Sequence, residues 1–159
     1  MNQVVVKQEK SGYQIVEAYK SLRTNLQFCG EDKKVIAITS CTPNEGKSSV
    51  SMQLGISLAE IGKRVILIDA DLRKSVLLGR TKTEKSVRGL AHFLSGQASL
   101  EDVICATNIK NFYMIYSGPF PPNPAELLGG KNFRSLLNAL RKVCLLYTSP
   151  SPRDYAASR

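Results

Sequence analysis

The stretch that most constrains this chain runs from Val35 to Ser49 and reads VIAITSCTPNEGKSS. An apolar run, Val35 to Ile38, enters a loop carrying Pro43 and Gly46; a helical pattern follows, with Val50, Leu54 and Leu58 on one side. Strand, loop and helix in this order point the loop's backbone N–H groups, with the helix N-terminus, into a concavity suited to polyphosphate. In such loops a Lys reaches the β- and γ-phosphates and the next hydroxyl ligates Mg²⁺, the roles that Lys47 and Ser48 would fill. The candidate phosphate-binding residues are Pro43, Asn44, Glu45, Gly46, Lys47, Ser48 and Ser49. The usual G-x-x-x-x-G-K-[ST] spacing would place its first Gly at position 41, where this chain has Cys41, so the loop is a variant. A bare Gly-Lys-Ser also occurs in ordinary surface turns; the flanking strand and helix distinguish this one.

A second signal lies downstream. Ile61-Gly62 closes the helix, and Arg64 to Asp69, RVILID, reads as a strand buried on both faces, the continuous apolar run of a parallel sheet. The C-terminal ends of such strands are where α/β sheets place their ligand sites, and Asp69 and Asp71 stand there. Two carboxylates beside a triphosphate site can hold a metal's water shell or take a proton from an attacking hydroxyl; a capping turn is the ordinary alternative. Lys47, Asp69 and Asp71 are therefore the candidate catalytic residues, and Ser48, Asp69 and Asp71 the candidate metal-binding set. Which Asp takes which role is left open.

At 159 residues and 43% hydrophobic, the chain is about one domain. No apolar run approaches the roughly 20 residues of a membrane span and no signal-peptide pattern is present, so a soluble intracellular protein is expected. Cys29, Cys41, Cys105 and Cys144 show neither C-x-x-C spacing nor a neighbouring His cluster, which argues for reduced thiols rather than zinc or disulfides. Cys41 alone sits where a helix N-terminus can activate a thiol. The net charge of +9 admits nucleic acid, anionic lipid or an acidic partner; much of it falls between Arg73 and Arg88, which reads as a solvated loop. His92, in a short apolar segment, reads as structural.

Residues 1–12 are polar apart from Val4 to Val6 and read as a flexible tail. Tyr13 to Phe28 has helical spacing at Ile15, Tyr19, Leu22 and Leu26. On it Glu17, Lys20 and Arg23 follow at intervals of three, either an internally paired solvated face or a subunit contact. Short helical patterns at Gly89 to Leu94 and Leu100 to Cys105 precede a third strand, Asn111 to Tyr116. Pro124 opens a short helix after a proline-rich loop, and Lys131 to Val143 is an amphipathic helix.

Taken together, EAYKSLRTNLQF, ITSCTPNEGKSS, VILIDADLRKS, GLAHFLSGQASLEDVI and SGPFPPNPAELLG resemble the bacterial tyrosine kinases of capsule and exopolysaccharide synthesis, the stand-alone cytoplasmic type. The resemblance covers about Tyr13 to Val143. It implies an α/β fold of the P-loop NTPase class, ParA/MinD-like, with a parallel sheet flanked by helices. It also implies ATP and Mg²⁺ as cofactors and protein tyrosines, including the chain's own kind, as substrates. In that family the loop is written T-S-x-x-P-x-E-G-K-[ST], which accounts for Cys41 and Pro43, and the Asp-x-Asp-x-Arg motif matches Asp69, Asp71 and Arg73. The family's E-x-x-R-x-x-R helix assembles a ring; Glu17 and Arg23 match, and Lys20 replaces the middle Arg, keeping charge but losing the planar fork. A membrane adaptor related to polysaccharide chain-length regulators is the implied activating partner, placing the protein peripherally at the inner face of the plasma membrane. Two other classes compete. A ParA/MinD-like switch ATPase would carry an early Lys where Thr42 stands, and a non-catalytic nucleotide-binding module would use the first helix only for docking.

The family continues past Val143 into an apolar strand ending D-T-P-P and then a tyrosine-rich tail, whereas this chain reads CLLYTSPSPRDYAASR. Pro150 and Pro152 are unsuited to a central strand, and the run resembles translated sequencing-adapter DNA. Residues 144–159 are accordingly expected to be a non-native or disordered tail, with 13–143 the N-terminal part of a kinase domain. The sheet is then expected to be incomplete, with about three parallel strands and an uncovered edge; the fragment is not expected to be an active kinase by itself, and Tyr147 and Tyr155 are not expected to be phosphorylation sites.

Overall fold

The computed structural model describes residues 1–8, 10–42, 46–83, 86–143 and 145–148, the last four through their backbone alone. Among the described residues the order is β1 (Asn2–Val6), α1 (Tyr13–Phe28), β2 (Val35–Ala37), α2 (Lys47–Glu60), β3 (Val65–Ile68), a 3-10 turn (Leu78–Arg80) and β4 (Thr81–Thr83). Then come α3 (Leu90–Leu94), α4 (Leu100–Val103), β5 (Cys105–Thr107), β6 (Phe112–Ile115), α5 (Pro124–Gly129), α6 (Lys131–Arg141) and β7 (Leu145–Thr148). The strands form one sheet in the order β2-β7-β3-β6-β5-β1-β4.

The half around the phosphate loop is parallel, β2 with β7, β7 with β3 and β3 with β6. Beyond β6 the sheet becomes mixed, because β5 runs antiparallel to β6 and β4 antiparallel to β1. The expected α/β class with a predominantly parallel sheet is therefore present, but the count of about three strands is too low. Two segments account for much of the difference. Residues 1–12 are not all tail: Asn2–Val6 forms β1, parallel to β5 through Asn2↔Cys105 and antiparallel to β4 through Val4↔Thr83. Val4 and Val6 are each 3% exposed, and the Val6 N–H donates to Asn108 Oδ1 at 2.8 Å. The Val triplet is too short to announce a strand alone; its partners lie far along the chain. Nor is all of 144–159 unstructured, since Leu145–Thr148 fills the place between β2 and β3. LLYT is apolar and β-prone and ends before Pro150, so the prolines do not interrupt its ladder. Cys144 and residues 149–159 lie outside the described residues.

β3 explains the two-sided core. Val65 and Leu67 face the layer of α2, while Ile66 and Ile68 face that of α3 and α6, and all four are 0–1% exposed. On the first side Leu54, Ile56 and Leu58 of α2 meet Phe112 and Met114; on the second, Leu136 and Leu140 of α6 meet Leu90, Leu94 and Ile115. α2 approaches β6 closely because of Gly55: a Cβ there would lie 2.7 Å from Phe112 Cε2. By contrast, α1 has no fully buried residue and meets the α2 side of this core through the half-buried Tyr19 and Leu26. Its Arg23 Nη1 donates to Ser57 O at 2.8 Å and to Ser57 Oγ at 3.2 Å, tying it to α2.

Candidate phosphate-binding site

The site is built where β2 and β3 deliver the chain to the C-terminal end of the sheet. α2 begins at Lys47, preceded by Gly46 at φ 81° and ψ 14°, a left-handed conformation that glycine adopts without the Cβ penalty. The first turn of α2 has neither an acidic residue nor a side-chain cap, so its N–H groups and positive dipole end face the loop mouth. Ser48 and Ser49 lie half-buried on this turn. Ser51 Oγ donates to the Lys47 carbonyl at 2.7 Å. Pro43, Asn44 and Glu45 lie outside the described residues.

Lys47 Nζ lies 3.9 Å from Asp71 Oδ2, with the two side chains only 11% and 18% exposed. This contact joins the two sequence motifs in one place. Asp69, 2% exposed, continues the sheet ladder by donating its N–H to Ile115 O at 2.9 Å. Its carboxylate accepts the Ser75 hydroxyl and, at 3.2 Å, the Asp71 N–H. Burial pushes the Asp69 carboxyl up to about 6; the Ser75 and Asp71 hydrogen bonds and the Lys47 charge oppose the rise, and the Asp71 charge adds to it. Asp71 Oδ1 in turn accepts the N–H groups of Arg73 (3.3 Å) and Lys74 (3.0 Å). The turn-capping role that was the ordinary alternative for this carboxylate is thus present alongside its approach to Lys47.

Ser75 was not among the residues singled out from the sequence. It is a small polar residue six positions beyond Asp69 in a non-periodic loop, and only the fold of that loop brings its hydroxyl back. Ser48, Asp69 and Asp71 supply only hard oxygen donors, a set that suits Mg²⁺ held partly through its own waters. Among the described residues no cluster of three His, Cys, Asp or Glu forms an alternative metal site. Cys105 is inert, its thiol pushed up to about 11 by burial. His92 is structural: its Nδ1 accepts the Gly89 N–H at 3.0 Å. Glu17, Lys20 and Arg23 do not enter the site; Glu17 and Lys20 pair on the surface at 3.1 Å, and Arg23 is held by Ser57.

The central parallel strands, the glycine-capped helix and the lysine beside paired carboxylates define a phosphate-loop α/β protein. The chain belongs to the family described as the AAA domain, whose model matches residues 33–143. Among curated relatives it is similar to tyrosine-protein kinase CpsD of Streptococcus agalactiae, 42% identical over 127 residues, which span 80% of this chain and 56% of that one. Among solved structures it is similar to the kinase domain of Escherichia coli tyrosine kinase ETK, with a TM-score of 0.83 and 28% identity over 98% of this chain and 72% of that one. It is also similar to the septum site-determining protein MinD of Pyrococcus horikoshii complexed with Mg-ADP, with a TM-score of 0.62 and 25% identity over 79% and 53% of the two chains. The kinase resemblance read from the separated motifs is borne out by these relatives. The chain spans 56% of the CpsD kinase and 51% of tyrosine-protein kinase YwqD of Bacillus subtilis. Among the described residues no helix is long and apolar enough to cross a membrane.

Proposed function

We propose that this chain is the nucleotide-binding part of an ATP-dependent protein tyrosine kinase that phosphorylates its own kind and regulates capsule or exopolysaccharide synthesis. The observation that carries the reading is the convergence of Lys47, Asp71 and Asp69 at the glycine-capped start of α2. Its relatives include proteins named tyrosine-protein kinases, and a protein of similar fold is complexed with Mg-ADP.

The amides of Gly46 to Ser49 bind phosphate oxygens, and the helix dipole favours the anion. Lys47 neutralises the charge that develops on the transferred phosphoryl group, and Asp71 holds the ammonium in place before nucleotide arrives. Ser48 and Asp71 would hold Mg²⁺, which would supply charge neutralisation. Asp69, with its carboxyl near 6, is matched to accept the proton of a tyrosine hydroxyl at neutral pH, and Ser75 orients it.

The exposed apolar residues Tyr13, Ile15, Val16 and Leu22 of α1 support contact with another subunit, in which Glu17, Lys20 and Arg23 would take part. A membrane adaptor of the chain-length-regulator type would bring that assembly to the inner face of the plasma membrane. Thr42, where a switch ATPase of the MinD type carries Lys, favours the kinase over that alternative.

Titration of a fluorescent ATP analogue with and without Mg²⁺ tests the site in this chain, and phosphotyrosine detection after incubation with MgATP tests the activity in a complete kinase that contains it. Lys47→Met should abolish both signals while leaving the far-UV spectrum unchanged. Tyrosine phosphate that persisted in Lys47→Met would place the chemistry elsewhere.

A further inference from the structure

The end of the sheet opposite the phosphate loop carries a second concentration of charge. Here α1 turns into β2 and α2 turns into β3, and a cleft of about 220 Å³ opens between the two turns. Its floor is apolar, formed by Leu26, Ile36 and Leu58, and its rim carries Lys33, Lys34, Lys63 and Arg64, all exposed. Asn111 O accepts the Val65 N–H at 2.8 Å and Arg64 Nη1 reaches Val143 O at 3.5 Å, which brings the exposed Lys110, Arg141 and Lys142 to the same end. Against them stand Glu31, Asp32 and Glu60, of which Asp32 is engaged by Lys33 at 3.2 Å.

Two apolar side chains stand among these cations: Phe28, 85% exposed at the end of α1, and Ile61, 40% exposed at the end of α2. A cationic face with protruding aromatic and aliphatic groups is ill matched to a polyphosphate backbone, which offers the apolar groups nothing to enter. It suits an anionic bilayer, whose headgroups meet the cations while its interface takes up the apolar side chains. We propose that this end of the molecule is a direct contact surface for anionic phospholipid, with the cleft receiving a headgroup. The phosphate-loop mouth, at the opposite end of the strands, then faces away from the membrane. The inference stands independently of the kinase reading.

The test is co-sedimentation of the full chain with vesicles of phosphatidylcholine alone and with about one-third phosphatidylglycerol. Binding should be at least tenfold stronger to the anionic vesicles and should weaken with salt, each cation near the surface being worth about fivefold. Lys34→Glu/Lys63→Glu changes only exposed residues and should lower the partition at least tenfold with an unchanged melting curve. Phe28→Ser should lower it several-fold and leave the salt dependence in place. Equal binding to both vesicle types, or no loss in the charge-reversed variant, would overturn the proposal. So would a short DNA duplex that binds more tightly than the vesicles and is indifferent to Phe28→Ser.

Discussion

Replacing Asp69 by Asn should stabilise the ligand-free chain at neutral pH. The carboxyl lies in the folded chain with a value near 6, against the ordinary 3.8, because burial costs more than its hydrogen bonds return. The folded state therefore holds the proton more tightly than the unfolded state does. That preference favours folding only while the carboxyl stays protonated in the fold, so stability declines as pH rises from 3.8 to 6 and stays reduced above. At 1.36 kcal/mol per unit, the penalty carried at pH 7.5 is about 3 kcal/mol, and about 1 kcal/mol remains at pH 4.5. Asn keeps an acceptor for the Asp71 N–H, and the Ser75 hydroxyl can turn to accept from the amide, so the neutral isostere escapes most of this cost. Urea unfolding followed by circular dichroism should show Asp69→Asn more stable by about 2–3 kcal/mol at pH 7.5, with the gap narrowing by about 2 kcal/mol at pH 4.5. A variant less stable than the parent at pH 7.5, or a gap that ignores pH, would refute the assignment of Asp69 as a buried, strained carboxylate.

Ser75→Ala removes a donor that holds the Asp69 value down, so the acidic limb of a pH–activity profile should move upward; an unmoved limb would separate Ser75 from the site. Arg23→Ala leaves the Ser57 carbonyl without its guanidinium partner and should cost about 1–2 kcal/mol in unfolding free energy, with faster amide exchange in α1 than in β3. Gly89→Ala would place a Cβ 2.3 Å from the Gly118 nitrogen where two backbones cross, and should lower stability by about 2 kcal/mol or more in thermal melts.

The phosphate-loop motif was legible in the sequence because its parts are local. A strand, a Gly-Lys-Ser turn and a helix are contiguous, and a continuous apolar run ending in Asp69 and Asp71 marks where a buried parallel strand presents its ligand end. Which carboxylate meets Lys47 was not legible, because the 3.9 Å approach of Asp71 depends on β2 and β3 taking places on either side of β7. The same holds for Ser75, whose bond to Asp69 requires a loop to fold back, and for Arg23, whose place in a charged helical repeat disguised an anchor onto Ser57. β1 was invisible for a related reason. A short Val-rich run has no periodicity long enough to declare itself, and its burial comes from pairing with residues 81–83 and 105–107. Sequence alone therefore determined the elements whose information lies within one turn of helix or one strand. Tertiary structure decided what long-range pairing brings together: the partner of each charge, the burial that lifts Asp69 and the strands that complete the sheet.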